Sequence, residues 1–359
     1  YLTVAIYAPD EPFVKHVKMA NECFEISDYL NQNEILSQAK KHNVDAIHPG
    51  YGFLSENPYF VKKCEKIGIK FLGPRSEHME MFAIKHIARD LAKKEGVNVL
   101  PASGETSDLE LAIIFSNNVG YPVIIKSSAG GGGMGMQRCN NELELRNNFE
   151  KIKKQALRLF KNGAIFVEKF VENSRHIEVQ VFGDGMGKVV ALGVRECSIQ
   201  RRNQKVIEET PPPGISKKIL NEIKKQAINL CESIKYLSAG TVEFVANQNL
   251  ENFYFLEVNT RLQVEHGITE MITGIDIVEW MLTEKIEYFE INPGTAIEVR
   301  VCAEDPYTNF TPSCGLIDSI IMPKKTNDTR CDTWIQDKTE ISFHYDSLLA
   351  KWMVYGKTR

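Results

Sequence analysis

Long apolar runs are missing from this sequence of 359 residues. No stretch of about 18 apolar residues occurs, so no membrane-crossing helix is expected. A surplus of positive charge is missing too: 43 Lys and Arg stand against 47 Asp and Glu, a formal net charge of −4. Proteins that bind by neutralising a phosphate backbone or an anionic membrane are usually basic. Neither nucleic acid nor a membrane is therefore an expected partner, while a local basic pocket for one small anion stays open. None of the eight cysteines forms a C-x-x-C pair. A disulfide framework and a zinc site both lack their signature, and free thiols in a reducing compartment are expected. Repeats and low-complexity tracts are absent. So are an initiator Met and a signal peptide. Tyr1-Leu2-Thr3-Val4-Ala5-Ile6-Tyr7 reads as a strand already under way, so a fragment is expected, and a targeting segment upstream would be invisible.

What is present is ordinary globular material, 43% hydrophobic and 25% charged. The length suits roughly two or three domains. Over the first 75 or so residues, short strands (Val4 to Tyr7, Ala46-Ile47, Lys70 to Leu72) alternate with helices (Ile35 to His42, Asn57 to Ile67). That alternation predicts a parallel, doubly wound sheet. From Val123 a strand leads into Ser127-Ser128-Ala129-Gly130-Gly131-Gly132-Gly133-Met134-Gly135-Met136. A helix follows with Leu145, Phe149, Ile152 and Ala156 at helical spacing. Strands return at Ala164 to Val167, Ile177 to Phe182 and Val189 to Gly193. After Pro211-Pro212-Pro213-Gly214, Ser216 reads as an N-cap to a helix with one apolar stripe, Ile219, Ile223, Ala227, Leu230 and Ile234. Gly240 to Ala246 and Asn252 to Asn259 read as a hairpin, and the tail from Thr295 as mostly strand.

Four patterns carry chemistry. The glycine run is neither a Walker A loop nor a dinucleotide fingerprint, because no Gly-Lys-Ser/Thr follows and a strand comes next. It is either a plain flexible loop or a glycine flap whose free N–H groups approach a phosphate, and Lys126 just before it favours the flap. In the hairpin, Glu243 and Glu257 are equidistant from residue 250, so they face each other. Opposed like charges are destabilising unless something sits between them. A divalent cation, Mg2+ or Mn2+, with Asn259 as a third oxygen ligand, meets that need. Beyond the hairpin, Arg261, Gln263 and Glu265 alternate as on a strand, giving an anion fork, a further donor and a candidate base. Gln200 to Lys205 is a second basic cluster with apolar flanks. Two short matches are decoys: Gly356-Lys357-Thr358 has Lys351 where a Walker glycine belongs, and Val17-Lys18-Met19 sits in a helix.

Together these stretches resemble biotin carboxylase, the ATP-grasp component of biotin-dependent carboxylases. The matching segments are HPGYGFLSEN at 48–57, KSSAGGGGMGM at 126–136, RHIEVQVFGDG at 175–185, RECSIQRRNQKVIEETP at 195–211, GTVEFV at 240–245, FLEVNTRLQVEHGITEM at 255–271 and EVRVCAEDP at 298–306. The resemblance implies an α/β and α+β chain: a doubly wound pre-ATP-grasp domain at 1–80 lacking its first strand, an ATP-grasp domain at 81–294 with a lid at about 100–170, and a truncated biotin carboxylase C-terminal domain at 295–359. It implies ATP contacts at Lys85, Lys126, Gly131, Gly132, Gly133, Met136, Glu168, Lys169, Val171, His176, Gln200 and Asn203. It implies metal ligands at Glu243, Glu257 and Asn259, and a bicarbonate pocket of Lys205, Arg261, Gln263 and Val264. Glu265 matches the base, and Arg300 the arginine that stabilises the biotin enolate.

Gly267 stands where the family usually has proline, Glu196 where it has aspartate, and Met134 where it has a basic or aliphatic flap residue. RRNQKVIEETP and the tail at 331–359 look most similar to the urea carboxylase and urea amidolyase branch. Acyl-CoA or pyruvate carboxylases are the alternative, and outside that class another ATP-grasp ligase or an inactive copy. Biotin on a carrier domain, a carboxyltransferase domain and a homodimer are the implied partners. The expected compartment is the cytoplasm, with a mitochondrial one left open.

Overall fold

The computed structural model describes residues 1–11, 14–128, 135–161, 163–324 and 326–359. Near the N-terminus, Val4–Tyr7 pairs in parallel with Glu22–Glu25, and Ala46–Ile47 with Lys70–Phe71. Parallel pairing agrees with the sequence pattern, but the described strands make two separate ladders rather than one continuous sheet. These strands are short, two to four residues each, and helices pack beside them. Asn31 and Asn57 cap those helices by accepting from the N–H groups of Glu34 and Phe60. Ile26, Phe60, Val61, Cys64 and Met79 form the local core. Glu22–Glu25 is absent from the sequence reading because its residues, Glu-Cys-Phe-Glu, carry little apolar signal.

Between about residues 100 and 170, an antiparallel sheet runs in the order Met136–Cys139, Val123–Ser127, Ile165–Lys169. Helices Leu109–Val119 and Glu142–Phe160 pack against it. Leu145, Phe149, Ile152 and Ala156 meet Val123, Ile125 and Val167 in a closed core, as their helical spacing predicts.

The largest element is an eight-stranded antiparallel sheet. Its spatial order is Phe253–Asn259, Leu237–Ala246, Arg175–Asp184, Val189–Arg201, Gln204–Thr210, Thr295–Cys302, Leu348–Gly356 and Thr329–Thr333. Alternation assigns its faces. Ile177, Val179 and Val181 pack with Ile223, Ala227 and Leu230 of helix Lys217–Ser233, which Ser216 caps through the Ile219 N–H. Glu178 and Gln180 point to the opposite face, where helix His266–Thr273 lies across the strands. The sheet runs without a break from Gln204–Thr210 into Thr295–Cys302. The strand bearing Arg300 is therefore hydrogen-bonded to the strand bearing Lys205. A Cβ at Gly267 would run into Met353 Sδ, so the Met353 side chain occupies that space.

Phe149 is fully buried beneath the three-stranded sheet. Phe149→Ala should lower the unfolding free energy by about 3–5 kcal/mol in a urea titration. A change within error would mean this core is not what holds the 100–170 region together.

Candidate active site

The sequence-predicted residues converge on a cavity of about 410 Å³. Its walls include Lys85, Lys126, Met136, Glu168, His176, Gln200, Asn203, Lys205, Glu243, Glu257, Asn259, Arg261, Gln263, Val264, Glu265 and Arg300. Lys169 and Val171 border an adjoining depression that shares Glu168, His176 and Asn203. The Lys169 ammonium is turned away, donating to the carbonyls of Gly120 and Tyr121 at 2.9 and 3.2 Å. It can offer the depression only its main chain. Gly131, Gly132 and Gly133, with Met134, lie outside the described residues.

Glu243 and Glu257 are directly opposed in the hairpin ladder, and Asn259 opposes Thr241. The ladder slips by one residue immediately inside that pair, at Leu256. The simple count from the turn succeeds only because the turn centre and the bulge compensate. Asn259 Nδ2 donates to Glu243 Oε1 at 2.9 Å, and Lys85 Nζ lies 3.7 Å from Glu257 Oε2. At the three-stranded sheet, Glu168 is buried and accepts from both Lys126 and Arg89.

The centre of the site is a buried charge cluster. Lys205 Nζ donates to Glu178 Oε2 at 2.5 Å, Glu243 Oε1 at 2.9 Å and Glu265 Oε1 at 2.7 Å. Arg195, completely buried, donates to Glu178 Oε1 at 2.5 Å, Gln180 Oε1 at 2.8 Å, Thr269 Oγ1 at 2.9 Å and Gln263 Oε1 at 3.0 Å. Arg300 Nη2 reaches Glu265 Oε2 at 2.9 Å, and its Nε reaches Glu208 Oε1 at 2.8 Å. His176 Nε2 lies 3.0 Å from Glu243 Oε2.

These contacts decide the ionisation states. Burial alone would raise Glu265, but Lys205, Arg195 and Arg300 outweigh it and hold the carboxyl well below the usual range. The same competition keeps Glu243 low, with Lys205 and His176 overcoming burial. Burial would lower Lys205, yet Glu178, Glu243 and Glu265 hold its pKa well above the ordinary lysine value. Glu265 is therefore held as an ionised carboxylate by its three cationic neighbours.

One expectation is corrected. Arg261, Gln263 and Glu265 do not alternate on a strand. The strand ends at Asn259, and Glu265 is the N-cap residue of helix His266–Thr273. The intervening loop still delivers all three to the cavity. An N-terminal contact holds it there: Glu56 accepts from the Thr260 N–H at 2.8 Å and from Arg261 Nε at 2.9 Å.

Glu56, Arg89, Glu178 and Arg195 were not singled out in the sequence. Glu178 alternates with Ile177 and Val179, which marks the face away from the apolar core without showing that it is buried, and Arg195 follows an apolar run with no alternation. Glu56 and Arg89 had no signal, because their partners lie 205 and 79 positions away.

The comparisons with known proteins agree with this geometry. Residues 1–79 match the model of the biotin carboxylase N-terminal domain, and 298–359 that of the biotin carboxylase C-terminal domain. Residues 85–286 match the carbamoyl-phosphate synthase L chain ATP-binding domain. Biotin carboxylase 1 of Bacillus subtilis (strain 168) is 41% identical over 99% of this chain and 82% of its own length. The chain belongs to the biotin carboxylase family. A crystal structure of the biotin carboxylase domain dimer of Hydrogenobacter thermophilus 2-oxoglutarate carboxylase, in complex with MgADP, ADP and bicarbonate, superposes with a TM-score of 0.94. It is 41% identical, over 99% of this chain and 81% of the other. The urea amidolyase of Lachancea kluyveri is 44% identical over 99% of this chain, which spans 20% of that relative's length.

Removing the central cation takes a charged donor from three buried carboxylates at once. Lys205→Met should cost about 3–5 kcal/mol of stability at neutral pH. Glu243 and Glu265, depressed in the fold, contribute stability that is present above the ordinary carboxylate pKa and lost as pH falls. The gap between wild type and variant should therefore narrow in acid. Melting curves that stay parallel from neutral to acid pH would contradict the cluster.

Proposed function

We propose that this chain carboxylates biotin, carried on a separate domain, using ATP and bicarbonate through carboxyphosphate. One observation carries the reading. An ionised, buried Glu265 sits between Lys205 and Arg300, beside Arg261 and Gln263, in the cavity that also holds Lys126, Lys85 and the opposed Glu243 and Glu257. A base, an anion fork, phosphate-directed lysines and an acidic metal pair thus occupy one space. The MgADP and bicarbonate bound by the 2-oxoglutarate carboxylase domain are the ligand classes such a site would take.

The residues fit a divalent cation. Glu243 and Glu257 are directly opposed across the ladder, and the Asn259 side-chain amide lies against Glu243 through Nδ2, so a cation there would meet two carboxylates and, with that amide turned over, its oxygen. Glu243, Glu257 and Asn259 would hold it, and it would supply charge neutralisation at the phosphates. Lys85 and Lys126 add to that neutralisation. Glu168, Lys169, Val171, His176, Gln200 and Asn203 border the space for the nucleotide base and sugar. Arg261, Gln263, Val264 and Lys205 place bicarbonate. As bicarbonate enters, Glu265 takes its proton, and the resulting oxyanion attacks the γ-phosphorus while ADP leaves. Proton transfer neutralises Glu265, so Arg300 loses one of its two anions and turns to the enolate of biotin. Carboxyphosphate then releases CO2 next to the biotin nitrogen, the phosphate left behind takes the biotin N–H proton, and the enolate so formed, held by Arg300, attacks CO2 through that nitrogen to give carboxybiotin and inorganic phosphate.

We place the domains at 1–80, 81–294 and 295–359, with the lid at about 100–170. The acceptor reading is urea or a guanidine-like compound. It is supported by the Asn203 to Thr210 segment and the 44% identity to a urea amidolyase; a carboxylase of acyl-CoA substrates is the second reading. Carrier and carboxyltransferase domains are the partners and a homodimer the assembly, as in the 2-oxoglutarate carboxylase domain. No described helix is long and apolar enough to cross a membrane, and the cytoplasm is the proposed location, with mitochondria the alternative.

The test is ADP release with bicarbonate and Mg2+, with and without free biotin. Biotin-stimulated release is expected. ATP binding with no stimulation would point to an inactive copy or a different ligase. Glu265→Gln should reduce bicarbonate-dependent release by about 10²-fold or more with nucleotide affinity kept. Unchanged turnover would remove Glu265 as the base. Glu257→Gln should raise the Mg2+ concentration needed for half-maximal release; an unaltered requirement would remove the hairpin as the metal site.

A further inference from the structure

One pair of acidic side chains beneath the cavity takes part in none of these steps. Glu208 and Glu298 are direct cross-strand partners between Gln204–Thr210 and Thr295–Cys302. Both are completely buried. Directly opposed residues carry their side chains on one face, about 4.5–5.5 Å apart at Cβ. Arg300 holds Glu208 Oε1 through Nε at 2.8 Å and Nη2 at 2.6 Å. Glu208 Oε2 has no hydrogen-bond partner among the described residues, and neither does either oxygen of Glu298.

The charges facing Glu298 are already committed. Lys351, on the strand at its other side, donates to the Val264 carbonyl at 2.6 Å and lies 3.4 Å from Asp332 Oδ2. Arg300, on its own strand, serves Glu208 and Glu265. Glu208 and Glu265 are themselves acidic, and Tyr51 faces it from the N-terminal turn. A buried carboxylate without a hydrogen bond, beside like charges, is too costly to keep ionised.

We propose that Glu208 and Glu298 hold one proton between them beneath Arg300, and that this leaves the guanidinium free to reach the Glu265 side of the cavity. Glu208 anchors the base of Arg300, and neutral Glu298 adds no competing charge. When Glu298 ionises, two carboxylates draw on Arg300 from below, and its hold on Glu265 and its reach toward substrate weaken. Both residues are positioning residues. The second half of the proposal rests on the biotin carboxylase reading; the shared proton does not. Burial, opposed by Lys351 and reinforced by Glu208, pushes Glu298 up to about 8, and burial raises Glu208 as well.

The test melts the full chain without substrates between about pH 6 and about pH 9, as wild type and as Glu298→Gln. The native pair keeps a proton that the unfolded chain has released, so wild-type stability falls as pH rises from the ordinary carboxylate pKa to about 8. Relative to the variant, the wild-type folding constant should drop by up to about tenfold per pH unit in that window. Parallel curves overturn the shared proton. If Glu298→Gln does not fold, infrared spectroscopy of the wild type decides: a protonated-carboxyl band at neutral pH that vanishes in alkali is expected, and its absence overturns the proposal. Biotin-dependent ADP release supplies the positioning readout. The ratio of alkaline to neutral turnover should be several-fold higher in Glu298→Gln. An equal ratio overturns the link to Arg300, whereas no biotin-dependent release in either protein counts against the carboxylase reading alone.

Discussion

Everything at the centre of this molecule depends on Lys205 being charged inside the protein. Its ammonium touches Glu178, Glu243 and Glu265, all of them buried. None of these groups would keep its charge there alone, because the cost of removing an ion from water exceeds what any single contact returns. As a set they do, because each hydrogen-bonding position is filled and Arg195 supplies a second buried cation. The result is a carboxylate at Glu265 that is ionised, rigid and shielded from bulk water. A base with those properties is weak until something shifts its neighbours. In the proposed reaction, an entering anion that competes for Lys205 and Arg261 would do that, coupling proton transfer to its arrival.

The sheet explains how groups so far apart in sequence reach one point. Strand alternation sends Glu178, Arg195 and Lys205 to one face, while the other packs on helix Lys217–Ser233. Unbroken pairing from Gln204–Thr210 to Thr295–Cys302 carries Arg300 to the same face as Lys205. Two further contacts tie the outlying parts to this frame. Glu56 reaches from the N-terminal region to Arg261, and Arg89 and Lys126 meet on Glu168. Catalytic groups held this way need little reorganisation during a reaction.

Much of this was legible in the sequence, for physical reasons that differ by element. The helix bearing Leu145, Phe149, Ile152 and Ala156 and the helix after Ser216 were readable because apolar periodicity records burial directly. The Glu243–Glu257 opposition was readable because a hairpin is local. The helical start at Glu265 was not: three alternating polar residues look alike on a strand and in a loop that ends in a helix cap. Glu22–Glu25 was invisible because a short, mostly polar strand has no period to detect. Partners such as Glu56 with Arg261 and Glu208 with Glu298 exist only once distant segments meet. The proposed nucleotide contacts of Glu168, His176 and Asn203 rest on family resemblance rather than on any local pattern.

The central claim is that Glu265 turns bicarbonate into the nucleophile that attacks ATP. Bicarbonate labelled with heavy oxygen tests it most directly, with the phosphate released alongside ADP analysed by mass. Attack by bicarbonate leaves one of its oxygens in the phosphate, so singly labelled phosphate is the predicted product. Unlabelled phosphate would mean that water attacks instead, and the account of Glu265 would be wrong.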